Sequence, residues 1–308
     1  MLDRRAFLSV ALGAPALAAQ GDRFRIAYSG FPWRENVEEA VATVARHGFA
    51  GLEPFRNHVL AYLDKPQALK DKLDEAGIEL VTCSNAGEMT IDFIDPAKTK
   101  QTIAEHTKFA RDFLNVFGCK HFKINLGARP EGGPTREQLL TMARTLDELG
   151  RHTADLGIKL APHPHVWSPM ERFHEVETVI DNTNRDYVGL VADTAHLTLG
   201  GMDPVKIVRM YTPRITALHF KDTAPSYRGH RGPSPTREQH RKDTLYKVLG
   251  AGGVDFPEIV SVLRNRRFDG WITMDFDPPR PGEGSIEDQI AANKTYLARQ
   301  LDIKLASA

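Results

Sequence analysis

Cysteine is scarce in this chain: of 308 residues only Cys83 and Cys119 carry thiols. Two thiols cannot build a disulfide framework. Each lies in an apolar run (VTCSN, VFGCKHF), which reads as a small buried hydrophobe rather than a catalytic or metal-binding thiol. Net charge is missing too, because 40 Lys and Arg balance 40 Asp and Glu. Proteins that neutralise phosphates normally carry a basic excess, so nucleic acid is not expected as a partner. After the N-terminus no apolar run is long enough for a stable membrane span. No linker or low-complexity stretch marks a second domain. What remains is a chain with 41% hydrophobic and 26% charged residues, enough for one large core.

The first 20 residues read differently from the rest. Arg4 and Arg5 precede Phe7-Leu8, a short apolar run follows, and Ala16-Leu17-Ala18 offers a small-x-small cleavage site. The segment resembles a twin-arginine signal and predicts an exported, periplasmic protein with a mature chain of residues 21–308.

From there short β-branched or apolar runs alternate with longer stretches of helical period. The predicted strands are 24–30, 50–55, 78–84, 121–126, 158–163, 188–193, 215–220 and 271–276. Helices are predicted over 36–47, 66–76, 97–117, 135–155, 172–181, 204–211, 256–266 and 286–300. Eight βα units without a break in composition predict an α/β fold, a single closed (β/α)8 TIM barrel; a doubly wound sheet is the alternative. One long irregular insertion, 222–245, follows the seventh strand and is read as a structureless lid.

In such a barrel chemistry sits at the C-terminal ends of the strands. Strand two ends in Glu53, and strand four carries Lys123 and Asn125 on one face. Strand five ends His163-Pro164-His165, strand six Asp193-Thr194-Ala195-His196, strand seven His219-Phe220-Lys221-Asp222, and strand eight Asp275-Phe276-Asp277. Taken singly, such an aspartate is commonly a helix cap and such a histidine a satisfied core residue. Their joint recurrence is what points to a metal. His163, Asp193, His219 and Asp275 would offer two imidazoles and two carboxylates, with His165 as the alternative to His163. That donor set suits one divalent ion, Mn2+, Zn2+, Co2+ or Fe2+, better than Mg2+.

At these strand ends the chain resembles the sugar phosphate isomerase/epimerase superfamily, the xylose isomerase-like barrels that also include endonuclease IV (AP endonuclease family 2). The resemblance is carried by VADTAHLTLGGMDP (191–204), ITALHFKD (215–222) and VLGAGGVDFPEIVSVLRNRRFDGWITMDFD (248–277). It implies Asp193, His219 and Asp275 as metal ligands with His163 as the fourth, and His196 as a substrate-binding group. It also implies a basic residue after the strand-seven histidine, for which Arg228 or Arg231 is the nearest candidate. The family's frequent glutamates at strands five and eight are replaced here by His163 and Asp275, which weakens a symmetric two-glutamate epimerisation.

The expected chemistry is abstraction of a proton beside a carbonyl, on a small sugar or polyol, through an enediolate. Asp275, His165 or Glu53 would be the base and Lys123 or His196 would protonate oxygen; Asn125, Trp167 and Arg228 would contact substrate, and Trp33 and Trp167 would either stack on it or pack structurally. Isomerase or epimerase is the first reading. A dehydratase or keto-glycoside lyase is the alternative, ahead of an endonuclease IV-like phosphodiesterase and a non-catalytic sugar-binding protein. A homo-oligomer is compatible with the sequence.

Overall fold

Period-two runs and amphipathic stretches become strands and helices in the expected order in a computed structural model that describes residues 22–306. The first half holds β1 (Arg25–Ser29), α1 (Val37–Arg46), β2 (Gly51–Glu53), α2 (Pro66–Glu75), β3 (Glu79–Leu80), α3 (Thr99–Asp112), β4 (His121–Ile124), α4 (Arg136–Ala154) and β5 (Lys159–Pro162). The second holds α5 (Phe173–Asp181), β6 (Leu190–Asp193), α6 (Thr194–Leu199), α7 (Pro204–Tyr211), β7 (Ile215–Phe220), β8 (Asp222–Thr223), α8 (Arg237–Lys242), β9 (Tyr246–Lys247), α9 (Phe256–Asn265), β10 (Trp271–Met274) and α10 (Ile286–Gln300). The signal predicted over 1–20 lies outside the described residues. Within them no helix is long and apolar enough to cross a membrane.

The barrel strands are all parallel. Six pair in the order β3-β2-β1-β10-β7-β6, and β4 pairs with β5. A parallel bridge from Leu160 to Val188 joins β5 to the β6 side. Strand three is shorter than expected: beyond Leu80 a single parallel bridge from Ser84 to Phe55 continues it on the β2 side, and side chains do the bridging toward β4. Lys123 N–H donates to Thr82 Oγ1 at 3.3 Å, and Asn125 N–H to Asn85 Oδ1 at 2.6 Å.

Alternation sorts the two faces of each strand. Leu52, Phe122, Ala192, Leu218 and Ile272 are fully buried in the core. The residue that follows each of them is Glu53, Lys123, Asp193, His219 or Thr273, all facing the barrel interior. Burying each of the larger apolar side chains contributes about 1.5–3 kcal/mol. Lower in the barrel the interior is filled by Ala161, Val191 and Ala217 with Trp271 against them. Gly51 makes room for that indole: a Cβ there would stand 2.7 Å from Val81 Cγ2 and 2.9 Å from the Trp271 ring. The core therefore closes the bottom and leaves polar groups at the top.

The insertion after β7 is ordered, contrary to the structureless lid expected. β8 and β9 form an antiparallel pair, Asp222 with Lys247 and Thr223 with Tyr246, and α8 opens on a capping box between Thr236 and Gln239. Its base is fixed by Asp222, which is fully buried. That carboxylate accepts the N–H groups of Thr223, Gly250, Gly252 and Val254 at 2.8–3.1 Å. Both cysteines are buried and free.

Candidate metal centre

The register of the sheet brings the strand-end donors together. Asp193 pairs with His219, and His219 with Thr273, across β6, β7 and β10. His163 Nε2 lies 3.6 Å from Asp193 Oδ2, and His219 Nδ1 lies 3.5 Å from the same oxygen. Asp275 Oδ2 is 3.4 Å from His219 Nδ1. Four side chains from four strand ends thus face one point.

The site has the properties of a cation site. His163 Nε2, Asp193 Oδ2 and His219 Nδ1 are buried with no hydrogen-bond partner. Potential ligand atoms of these three residues lie within 4.8 Å of one another. Unpartnered polar atoms are costly in a protein interior, and three converging ones call for a common partner. Charge points the same way. Of the buried charges, Glu53, Asp193 and Asp275 with partly buried Asp277 face the ammonium groups of Lys123 and Lys221, an excess of two negative charges among these six groups when the imidazoles are neutral. One divalent ion would balance them, held by His163, Asp193, His219 and Asp275. Among the described residues His163, Asp193 and His219 are the one such group of potential ligands, against the three-metal arrangement of the nuclease alternative.

Glu53 occupies a different place from the one a base requires. Its Oε1 accepts from His219 Nε2 at 3.0 Å and from Lys123 Nζ at 2.9 Å, and its Oε2 accepts from Thr273 Oγ1 at 2.8 Å. With both oxygens engaged and 1% exposure it stands behind His219. Because a carboxylate only accepts, His219 donates from Nε2 and turns Nδ1 toward the aspartates, the carboxylate–histidine arrangement common at metal sites. Burial opposes charge on His219, but the Glu53 carboxylate, with Asp193 and Asp275 close by, holds its imidazole well above its ordinary pKa. Burial likewise works against the Asp193 carboxylate, yet His196, His163 and His219 hold it well below the usual range. The field of the site favours added positive charge.

Around the donors lies a cavity of about 470 Å³ whose lining includes Lys123, Asn125, His165, His196, Lys221 and Trp167. His165 donates from Nδ1 to Val166 O at 2.5 Å, which leaves Nε2 unprotonated and available. Its ring lies 3.6 Å, centroid to centroid, from that of His196. Two imidazolium rings at that separation repel, and burial followed by this contact drives His196 well below its ordinary pKa. Asn125 Nδ2 donates to Asn85 O at 2.8 Å.

Other expected residues fall elsewhere. Arg228 donates to Gly252 O at 3.0 Å and is absent from the cavity lining, and Arg231 reaches exposed Asp203 at 3.8 Å. Trp33 is buried against Tyr28. Of the paired histidines, His163 belongs to the cluster with Asp193 and His219, and His165 does not.

The cation that sequence reasoning missed is Lys221, 3% exposed, with Nζ 2.8 Å from Asp277 Oδ1 and 3.6 Å from Asp275 Oδ2. Burial lowers its pKa, but Asp275 and Asp277 more than reverse this and hold the ammonium charged. The signal was its spacing of two from His219, which puts both on the interior face. The insertion adds Arg237, His240 and Tyr246 to the cavity, and Phe31 and Phe55 line the same cavity.

Against known proteins, the chain matches the family model described as xylose isomerase-like TIM barrel over residues 41–296. A curated relative from Lacticaseibacillus casei, named inosose dehydratase, is 24% identical over 287 residues, covering 86% of this chain and 90% of that protein. The crystal structure of the IOLI protein with a binding zinc atom aligns at a TM-score of 0.71 with 17% identity, over 89% of this chain and 97% of that one. A D-psicose 3-epimerase in the presence of D-fructose aligns at 0.71 with 15% identity, over 92% of this chain and 100% of that one. The family match runs through every strand end that supplies the centre, from Glu53 to Asp275, and the chain belongs to the xylose isomerase-like TIM barrel family.

Proposed function

We propose that this protein is a divalent-metal-dependent dehydratase that eliminates water from a small polyhydroxylated ketone, such as a keto-sugar or keto-cyclitol. One observation carries this reading: the cavity sets an available imidazole, His165, beside a buried ammonium, Lys221, that ties up its two carboxylates, instead of leaving those carboxylates as a free matched pair. His165 presents an unprotonated Nε2, while Asp275 and Asp277 are both tied to Lys221. Epimerisation needs proton exchange on two faces of one carbon; β-elimination needs a base and a donor for the departing hydroxyl. The dehydratase alternative therefore takes precedence over the isomerase or epimerase first expected. The name of the curated relatives, inosose dehydratase, supports it.

A bound divalent ion would supply Lewis-acid stabilisation of negative charge on substrate oxygens. His165 Nε2 takes the proton from the carbon beside the carbonyl. The electron pair of that C–H bond becomes the new C=C bond as the β C–O bond breaks. Lys221 hydrogen-bonds the departing hydroxyl and gives it a proton, so that water leaves. Transfer to the departing oxygen is downhill, because water, the conjugate acid of hydroxide, has a pKa of about 15.7. The proton on His165 returns through solvent to Lys221, and the enzyme ends as it began. Asp275 and Asp277 keep Lys221 charged between turnovers, and Lys123 holds Glu53 against His219. Trp167, Tyr246, Phe31 and Phe55 exclude water around the reacting carbon.

The signal at residues 1–20 extends the proposal: an exported enzyme would meet unphosphorylated substrate. A reporter that is active only after export, fused behind residues 1–20, tests that part, and an inactive fusion refutes it. For the reaction, the metal-loaded protein is incubated with inosose and a panel of keto-sugars in deuterium oxide. Loss of one water by mass, with a new conjugated carbonyl absorbance that His165→Ala abolishes, is expected. A product of unchanged composition, epimerised and deuterated, would refute the elimination.

A further inference from the structure

Four ties join the turn after β5 to the insertion, and none involves a donor of the metal centre. Arg172 Nη1 donates to Gly232 O at 2.9 Å. Ser234 Oγ donates to Glu171 Oε1 at 2.8 Å. Trp167 Nε1 donates to Pro235 O at 2.7 Å. The Arg237 guanidinium stands 4.8 Å from the centre of the Trp167 ring. Trp167, Arg237 and His240 line the same cavity as the catalytic groups.

Trp167 is unusual in its backbone, with φ at 68°. Bulky residues adopt this left-handed region only when their surroundings hold them there. Two bonds do so: Trp167 N–H donates to Glu171 Oε2, and Trp167 O accepts from Arg129 N–H at 2.8 Å. The same turn carries His165, whose carbonyl accepts from Ser168 N–H at 3.1 Å and whose N–H donates to Met170 O at 3.2 Å.

Glu171 is the common point of these contacts and is only 4% exposed. It is not there to neutralise Arg129. That guanidinium is already engaged by Glu175 at 2.8 and 3.0 Å and by Ser168 O at 3.2 Å, with Glu171 3.9 Å away. One oxygen of Glu171 holds the strained tryptophan, and the other accepts from Ser234 of the insertion and pairs with Arg172 Nε, 3.3 Å away, whose Nη1 in turn donates to Gly232 O.

We infer that Glu171 is a positioning residue that fixes Trp167 in its left-handed conformation and hooks residues 232–237 over the cavity, so that the outer wall of the substrate pocket forms as one piece. The wall is an indole face backed by a guanidinium, which suits the flat apolar side of a polyhydroxylated ring. Substrate binding, more than the chemical step, then depends on a carboxylate that touches neither substrate nor metal. The kinetic consequence rests on the dehydratase reading; the structural one does not.

The test compares Glu171→Ala and Ser234→Ala with the wild type in the full metal-loaded protein. Trypsin cleavage is followed within residues 228–242, where Arg228, Arg231, Arg237, Arg241 and Lys242 offer sites. Expected are cleavage at least about tenfold faster in Glu171→Ala, faster cleavage at the same sites in Ser234→Ala, and unchanged metal content in both. With inosose, KM should rise about tenfold or more in Glu171→Ala while kcat falls far less. Wild-type cleavage rates in both variants overturn the inference, as does faster cleavage with an unchanged KM. Should Glu171→Ala not fold, Ser234→Ala decides by its cleavage rate alone. Absence of turnover by the wild type would count against the dehydratase reading, and proteolysis would still decide this one.

Discussion

Glu53→Gln separates a residue that orients a metal ligand from one that removes a substrate proton. The substitution keeps size and one acceptor but removes the charge that accepts from His219 Nε2 and faces Lys123 at 2.9 Å. Loss of a group that holds a metal-bound histidine typically weakens metal affinity 10–100-fold, about 1.4–2.8 kcal/mol. The apo-protein should suffer separately. Glu53 and Lys123 are 1% and 3% exposed, and breaking a buried pair by removing one partner costs about 3–5 kcal/mol. Because glutamine still accepts one hydrogen bond, the lower end, about 3 kcal/mol, is expected. Adding Lys123→Met removes the stranded ammonium, and the double variant should regain most of that stability without regaining metal affinity. Competition with a chromophoric chelator measures the first quantity and urea unfolding of the metal-free protein the second. Wild-type metal affinity combined with abolished turnover would refute the reasoning, because it would make Glu53 the base.

Three further outcomes follow from the same geometry. Elemental analysis of the mature protein should give about one Mn, Zn, Co or Fe per chain, lost in Asp193→Ala/His219→Ala; metal retained by that variant would place the site elsewhere. Asp222→Ala leaves four backbone N–H groups without their acceptor, and at about 1 kcal/mol or more for each, unfolding should become easier by about 4 kcal/mol; a change below about 1 kcal/mol in urea would show that the insertion does not hang on this carboxylate. Burial lowers both His106 and His121 from 6.5 to about 4, so each is neutral when folded and charges more readily when unfolded. Their contribution is complete above pH 6.5 and is lost as pH falls toward 4, each costing about 3 kcal/mol by then; the pH dependence of urea unfolding should flatten correspondingly in His106→Gln, and an unchanged slope would contradict the assignment.

The strands illustrate what a linear reading captures. Strand seven was placed at 215–220 and is found there, because it is a short apolar run buried on both faces, with only Thr216 partly exposed. Strand three was expected over 78–84 but is continuous only at Glu79 and Leu80, with a separate parallel bridge from Ser84 to Phe55, while toward β4 Thr82 and Asn85 take backbone bonds with their side chains. Residue types predict an extended segment; they do not say whether a backbone or a side chain will partner it. The insertion failed in the opposite way. Its length and lack of regular period suggested a structureless lid, whereas contacts from distant segments hold it: Asp222 through the 249–254 turn, and Glu171 and Trp167 through Ser234 and Pro235.

At the centre, the sequence by itself determined which side chains stand at the strand ends. Strand period and barrel topology together force residues such as Asp193, His219 and Asp275 to one mouth. It could not distinguish His163 from His165, because both lie on an extended segment at the same parity. Only the tertiary structure turned one toward Asp193 and tied the other to Val166 O. It also set Glu53 behind His219 and brought Lys221, not Arg228, into the pocket. The physical reason is range. Strand alternation is local and repeats every two residues, whereas the role of a buried ionisable group is fixed by charges within a few ångströms that come from remote parts of the chain.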